Sequence, residues 1–278
     1  MTRPLAGRTV LVTRPRHQAA ALVQLIEAAG GSAFEFPALA VEAVEDGHLA
    51  ASIAHLADAD IAIFISPNAA QFGMAAIRTS GRLPPSTEVF AVGPGTARVL
   101  AEQGVAHVTT PGNLPLPNPP PLTGEGTNVI PKPINQDSEA LLALPRLRDV
   151  AGKRVVIVRG VGGRPLLADT LSARGAQVHY LECYRRVRPQ TDAAPLLARW
   201  QAGGIDAVTI ASAETLHNLA ALLGETGAPL LATTPLFAPH EKIAAAARRF
   251  GIAHVIATAG GDAGLVDGLI NWFGTIHE

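Results

Sequence analysis

The chain has 278 residues, 48% of them hydrophobic and 16% charged, with 22 Lys and Arg against 23 Asp and Glu for a formal charge of -1. That length holds material for two domains with separate cores, and the composition excludes a disordered chain. The charge balance lacks the broad basic field of nucleic-acid and membrane-surface binders, so neither partner is expected and an anionic ligand must be caught locally. A single cysteine, Cys183, excludes an internal disulfide framework and a Cys-rich zinc site. The N-terminal stretch lacks a signal-peptide pattern and no window approaches the ~18 to 20 apolar residues of a membrane span. The expected location is the cytoplasm.

Val- and Ile-rich runs recur at residues 9–12, 61–65, 88–92, 155–158, 207–211 and 254–258. Most are continuous rather than alternating, as in strands buried on both faces, and helical patterns follow most of them. Parallel sheets with helices on both sides are the expected result. After the first run, Leu22, Leu25, Ile26 and Ala29 fall at i, i+3, i+4 and i+7, which predicts a helix stopped by Gly30 and Gly31. Between Gly112 and Pro133 there are seven prolines and few apolar residues. This stretch, about 112–135, reads as a flexible insertion. The pattern resumes at Asp137-Ser138-Glu139-Ala140-Leu141-Leu142, with Asp137 or Ser138 as the N-cap of a helix.

One spacing repeats. Residues 8–12 resemble 154–158, and Ser66 lines up with Ser212 at the same separation of 146; Phe90-Ala91 and Gly104-Val105 match Phe237-Ala238 and Gly251-Ile252 at 147. Two copies of one α/β module follow from this.

In parallel α/β sheets ligands bind beyond the carboxyl ends of the strands. Four turns there pair a small or hydroxyl residue with a helix start: Thr13-Arg14-Pro15-Arg16, Ser66-Pro67-Asn68, Gly93-Pro94-Gly95-Thr96 and Ser212-Ala213-Glu214. Taken singly, Ser66, Thr96 and Ser212 read as helix caps; taken together, at equivalent strand ends, the turns point to a shared anion site. The Gly160-Val161-Gly162-Gly163-Arg164 turn misses the dinucleotide spacing, because position 165 is proline, and lacks the Lys-Ser/Thr of a phosphate loop. It reads as a glycine-rich turn that lets a ligand backbone approach closely. His179, His217, His240 and His254 are too widely spaced for a metal motif, so no metal is expected. Cys183 reads as a packed thiol, and Arg185, Arg186 and Arg188 as either a solvated charge run or an anion-binding wall.

These residues resemble the uroporphyrinogen-III synthases of tetrapyrrole biosynthesis along essentially the whole chain. The motifs that carry the resemblance are Val10-Leu11-Val12-Thr13-Arg14-Pro15, Phe64-Ile65-Ser66-Pro67-Asn68-Ala69, Ala91-Val92-Gly93-Pro94-Gly95-Thr96-Ala97, Asp137 to Leu142, and Leu181-Glu182-Cys183-Tyr184-Arg185-Arg186. Ala238-Pro239-His240-Glu241-Lys242-Ile243 is similar to the bacterial form of a further turn, and the proline-rich insertion departs from the pattern.

The resemblance implies two similar parallel-sheet α/β domains in a bilobed protein, joined by a two-stranded hinge with a cleft between them. Domain one is then 1–38 plus 188–278 and domain two 42–184, the first β-α unit crossing over to join the end of the chain. The implied reaction converts hydroxymethylbilane into uroporphyrinogen III, with loss of water and inversion of the terminal pyrrole, in a monomer needing no cofactor. Tyr184 is the implied proton donor at the hydroxyl that leaves, since a phenol keeps its proton at neutral pH. The implied substrate-binding positions are Arg14; Ser66, Pro67 and Asn68; Gly93, Gly95 and Thr96; Arg159 and Gly160; Ser212, Ala213 and Glu214; and His240. The alternative is a bilobed module that binds a tetrapyrrole or polycarboxylate without chemistry.

Overall fold

The computed structural model describes residues 3–45, 47–80, 83–111 and 138–275. The proline-rich insertion and Asp137 therefore lie outside the described residues. The chain forms two compact units, one of residues Met1–Val41 and Val187–Glu278, the other of Glu42–Arg186. It opens in the first with β1 (Thr9–Val12), α1 (Arg16–Ala28) and β2 (Ser32–Glu35). The second runs from β3 (Ala40–Ala43), which begins just before the boundary, through α2 (Gly47–Ala54), β4 (Ile61–Phe64), α3 (Pro67–Ser80), β5 (Glu88–Ala91) and α4 (Pro94–Glu102). It continues with α5 (Ser138–Leu142), α6 (Pro145–Arg148), β6 (Arg154–Gly160), α7 (Leu166–Ala173) and β7 (Gln177–Val187). Back in the first unit follow α8 (Ala194–Gln201), β8 (Ala207–Thr209), α9 (Ala213–Thr233, kinked at Gly224), β9 (Leu236–Ala238), α10 (Glu241–Phe250), β10 (Val255–Ala257) and α11 (Gly261–Thr275).

In the first unit the sheet order is β10-β9-β8-β1-β2, and its ladders are parallel. Alternate side chains enter two cores. Val10, Val12, Ala207 and Phe237 pack with Leu22 and Ile26 of α1 and Leu265 and Leu269 of α11. Leu11, Val208, Leu236 and Ala238 pack with Leu196 and Trp200 of α8, Leu219 and Leu223 of α9, and Ala244 of α10. Each fully buried Val or Leu contributes about 1.5–3 kcal/mol of transfer free energy, which is why such short strands hold.

The second unit has the order β3-β7-β6-β4-β5, with β7, β6, β4 and β5 parallel. Ile61, Ile63, Val155 and Ile157 pack with Leu141 of α5, Leu147 of α6 and Leu171 of α7. Phe64 and Val158 meet α3 on the other face.

The sequence repeat reappears as a repeat of register. Thr9 pairs with Ser32 in one unit and Val155 with Val178 in the other, both members displaced by 146. Phe237 pairs with Ile256, and 147 residues earlier Phe90 makes an isolated parallel bridge to Thr109. The heads of the two copies are exchanged: β1 pairs with β8, whereas β6 pairs with β4.

A strand apolar on both faces has no hydrophobic pattern to fix its register. An aspartate supplies the lock in each unit. The Thr9 N-H donates to Asp206 Oδ2 at 2.8 Å while the Asp206 N-H donates to Thr9 O at 2.9 Å. Likewise the Arg154 N-H donates to Asp60 Oδ2 at 2.9 Å and the Asp60 N-H to Arg154 O at 2.9 Å. The Arg154 N-H, with help from Lys153 and against desolvation, holds the Asp60 carboxyl below its ordinary value of 3.8. A carboxylate favoured in this way adds stability that is complete above its unfolded value and is lost as pH falls through the folded one. Asp60→Asn should therefore unfold at a lower temperature than the parent at pH 7, the gap closing on acidification below about pH 4. Melting curves from pH 7 to pH 2 check this; a gap that does not change with pH would show that the charge plays no part.

Candidate active site

Because β10, β9, β8, β1 and β2 run parallel in one sheet and β7, β6, β4 and β5 in the other, the strand-to-helix turns of each gather at one edge. In the first unit that edge carries Arg14, Ser212 to Glu214, and His240. Thr13 is fully buried and its hydroxyl donates to Thr209 O at 2.6 Å, which ties β1 to β8. Arg14 is ion-paired through Nη1 with Oδ1 of Asp262, in the first turn of α11. Ser212 caps α9, its Oγ accepting the Thr215 N-H at 3.1 Å and lying 2.9 Å from Thr215 Oγ1. Ala213 and Glu214 open that helix. His240 stands at the N-cap of α10, exposed, with its ring against Gly260 and no side-chain capping bond.

In the second unit Ser66 does two things. Its Oγ accepts the Ala69 N-H at 3.0 Å, capping α3, and lies 3.1 Å from the Tyr184 hydroxyl. Pro67 and Asn68 form the first turn of α3. Gly93 is the N-cap of α4 and Gly95 stands in its first turn, facing Pro67. Thr96 corrects an expectation: it is a buried residue of α4 and not its cap, because Gly93 occupies that place.

Tyr184 reaches Ser66 through a bulge. Arg159 pairs with Glu182 but Gly160 pairs with Tyr184, so Cys183 is the extra residue on β7. The Tyr184 ring then lies across Gly160, where a Cβ would come within 2.6 Å of Cε2 and Cζ, and tilts against Phe72 at a centroid distance of 5.8 Å. Gly163 tells a similar story: with φ at +100° it leaves room for Arg159, whose Nη2 would be 2.6 Å from a Cβ there. Gly160 and Gly163 thus accommodate the protein's own side chains, whereas a Cβ at Gly162 would meet open space.

Arg159 is buried, and with Arg164, Tyr180, Ile65 and Leu167 it lines a cavity of about 310 Å³ inside this unit. Sequence reasoning gave Arg164, the last residue of the glycine-rich turn, no role of its own, and missed Asp262 and Tyr180. The last had a signal, since Tyr180, Glu182 and Tyr184 recur at the strand period of two. Among the described residues no His, Cys, Asp and Glu side chains gather in threes as a metal site, and no helix is long and apolar enough to cross a membrane.

The fold and these edges define a protein of two parallel α/β units, each presenting polar strand-end loops. Residues 20–267 match the family model described as uroporphyrinogen-III synthase HemD. The uroporphyrinogen-III synthase of Salmonella typhimurium is 35% identical over 213 residues, 76% of this chain and 78% of that protein. The Escherichia coli enzyme of that name is 33% identical over 217 residues, 77% of this chain and 80% of that protein. A mutant uroporphyrinogen III synthase from Thermus thermophilus shares the fold with a TM-score of 0.57 at 20% identity, covering 96% of this chain and 99% of that one. The Helicobacter pylori uroporphyrinogen-III synthetase also gives 0.57, at 12% identity, with 95% and 99% covered. The chain belongs to the uroporphyrinogen-III synthase family.

Cys183, although one residue from Tyr184, is a packed thiol. It is 1% exposed, its Sγ lies 3.4 Å from Arg159 O, and burial pushes its pKa up to about 12. Iodoacetamide at pH 8.5 should therefore alkylate it about a thousandfold more slowly in the folded protein than in urea, since only the thiolate reacts. Mass spectrometry of timed samples checks this, and equal rates would place the thiol at the surface.

Proposed function

We propose that this chain converts linear hydroxymethylbilane into uroporphyrinogen III, closing the macrocycle with loss of water and inversion of the terminal pyrrole. The observation that carries the reading is 35% and 33% identity to two uroporphyrinogen-III synthases over 76% and 77% of the chain. It favours an enzyme over a module that merely binds a tetrapyrrole. The reaction is a net dehydration: a proton joins the leaving hydroxyl, the C-O bond breaks to release water, the far ring attacks the delocalised pyrrole cation, and that ring then gives up a proton to restore its aromaticity, so the proton taken up is returned. Neither electrons nor a transferred group are left over, so the balance calls for no cofactor.

Because the linear substrate also closes spontaneously without inversion, the protein's task is to hold it so that the inverting path is faster. The polar turns supply helix N-termini and side chains for the acid arms of the substrate, which suits a chain of net charge -1. Tyr184 is the proposed donor to the leaving hydroxyl, with Ser66 Oγ, 3.1 Å away, orienting the phenol. A cytoplasmic monomer with a small-molecule substrate and no nucleic-acid or membrane partner is part of the same proposal.

Catalytic amounts of the protein should yield the type III isomer without added metal or nucleotide. Tyr184→Phe should lower kcat about 10-fold, short of the 10²–10⁴ of an obligatory general acid, with product affinity nearly intact. Chromatography of the oxidised products, with steady-state kinetics, checks both. Type I isomer alone would end the enzymatic reading, and unchanged kinetics in a folded variant would reduce Tyr184 to a ring packed on Gly160.

A further inference from the structure

A cavity of about 350 Å³ opens between α2 and α3 of the second unit, away from the strand-end turns. On α3 its lining residues Phe72, Ala75, Ala76 and Thr79 recur at i, i+3, i+4 and i+7, one stripe of the helix, and Leu49 and Ile53 of α2 stand opposite. Alanines at such positions normally let two helices approach until the gap closes. Here α2 is tied down on either side instead. Before it, the Val44 N-H donates to Cys183 O at 3.1 Å; just after it, the His55 ring stacks on that of His179 at a centroid distance of 3.8 Å. Both ties run to β7, so α2 spans that strand and the groove beside it stays open.

The walls define what fills such a groove. Val44, Leu49, Ile53 and Phe72 are apolar, and Glu45 is the one charged side chain among the lining residues. Cys183, also in the wall, adds no charge, because burial keeps its thiol protonated. The volume falls within the range of small-molecule pockets, roughly 300–1,000 Å³. An apolar body with a cationic end is complementary to these groups, its hydrocarbon against the aliphatic and aromatic side chains and its ammonium at Glu45.

Phe72 connects the groove to the Tyr184 hydroxyl. Its ring lines the groove and also tilts against the Tyr184 ring at 5.8 Å between centroids, while the Tyr184 hydroxyl lies 3.1 Å from Ser66 Oγ. We propose that this groove binds a small apolar ammonium compound and that Phe72 passes its occupancy to Tyr184. Binding stands independently of the function proposed above; an effect on turnover rests on it.

Binding is read on the full chain with ¹³C-labelled Val, Leu and Ile methyls. Phenethylamine should shift the Val44, Leu49 and Ile53 signals saturably with a Kd of about 1 mM, ahead of phenethyl alcohol and then of hydrocinnamate. Glu45→Gln should weaken the amine about threefold, the size of an exposed ion pair, and leave the alcohol unchanged. Ala75→Leu, at an exposed position of α3, should fill the groove and abolish both. Absent or non-saturating shifts overturn the site, and hydrocinnamate binding as tightly as the amine, or an amine indifferent to Glu45→Gln, overturns the ammonium assignment.

The relay has its own readouts. The chain has two tyrosines, so ring-labelled protein gives two sets of signals and Tyr184→Phe assigns one of them. Saturating amine should move the Tyr184 signals in the parent and not in Ala75→Leu. With hydroxymethylbilane it should lower kcat for the type III isomer about fivefold in the parent and leave Ala75→Leu, as active as the parent without amine, unaffected. Unmoved Tyr184 signals, or unchanged kcat in an active parent, overturn the relay. If the parent makes no type III isomer, the enzymatic reading fails, and the methyl and tyrosine signals alone decide the proposal.

Discussion

The position of each strand-end loop depends on one interaction made twice: an aspartate at the start of a strand grips the first peptide of its neighbour. Asp206 does this for β1 and Asp60 for β6. The neighbours are distant in sequence, 197 residues apart in one case and 94 in the other. Their contact is what draws the head of one copy onto the tail of the other. Hydrophobic burial supplies most of the free energy of that pairing but is nearly indifferent to a slip of register when both faces are apolar. The hydrogen-bonded carboxylate is not indifferent, and at the opposite end of β1 the buried Thr13 and Thr209 hydroxyls fix the register again.

From that register the chemistry of the second unit follows in short steps. With β6 locked to β4, Ser66 and Gly160 emerge at the same edge. The bulge at Cys183 then turns Tyr184 across Gly160 and towards the Ser66 hydroxyl. One extra residue on β7 thus converts a strand that would place a phenol by simple alternation into one that places it over the end of β6. Just before the bulge the unbroken register sets Glu182 opposite Arg159, with its Oε1 3.7 Å from the guanidinium Nε.

What the sequence revealed and what it hid divide along burial. The runs at 61–65 and 155–158, which became the strands Ile61–Phe64 and Arg154–Gly160, were visible because strands buried on both faces are continuously apolar. Ser32–Glu35 was not, since an edge strand needs little apolar surface, and Gln177–Val187 lacks the continuous apolar run of a doubly buried strand, because His179, Glu182, Arg185 and Arg186 interrupt it. The strand-end turns were found by type but not by role. Ser66 and Ser212 are caps, Thr96 is buried within its helix, and Arg14 is committed to Asp262 across 248 residues, a partner no local pattern indicates. The uses of Gly160 and Gly163 became plain only once the Tyr184 ring and the Arg159 fork were seen occupying the space of the missing side chains.

Near-neutral charge and a polyanionic substrate are compatible under this arrangement for a physical reason. Long-range attraction between exposed charges is screened beyond about 8–10 Å at ordinary salt, so a diffuse basic surface chiefly accelerates encounter. Discrimination between two ways of closing one chain requires charges fixed where the substrate's acid groups must lie, with little reorganisation on binding. A buried guanidinium held by an aromatic face meets that requirement better than surface lysines, because most of its desolvation and ordering has already occurred during folding. Arg14, by contrast, is engaged by Asp262, so a ligand recruiting it must displace a carboxylate or share the guanidinium with it. The two arginines therefore differ in kind: Arg159 is buried and stacked 4.6 Å over the Tyr180 ring, whereas Arg14 is already paired with a carboxylate.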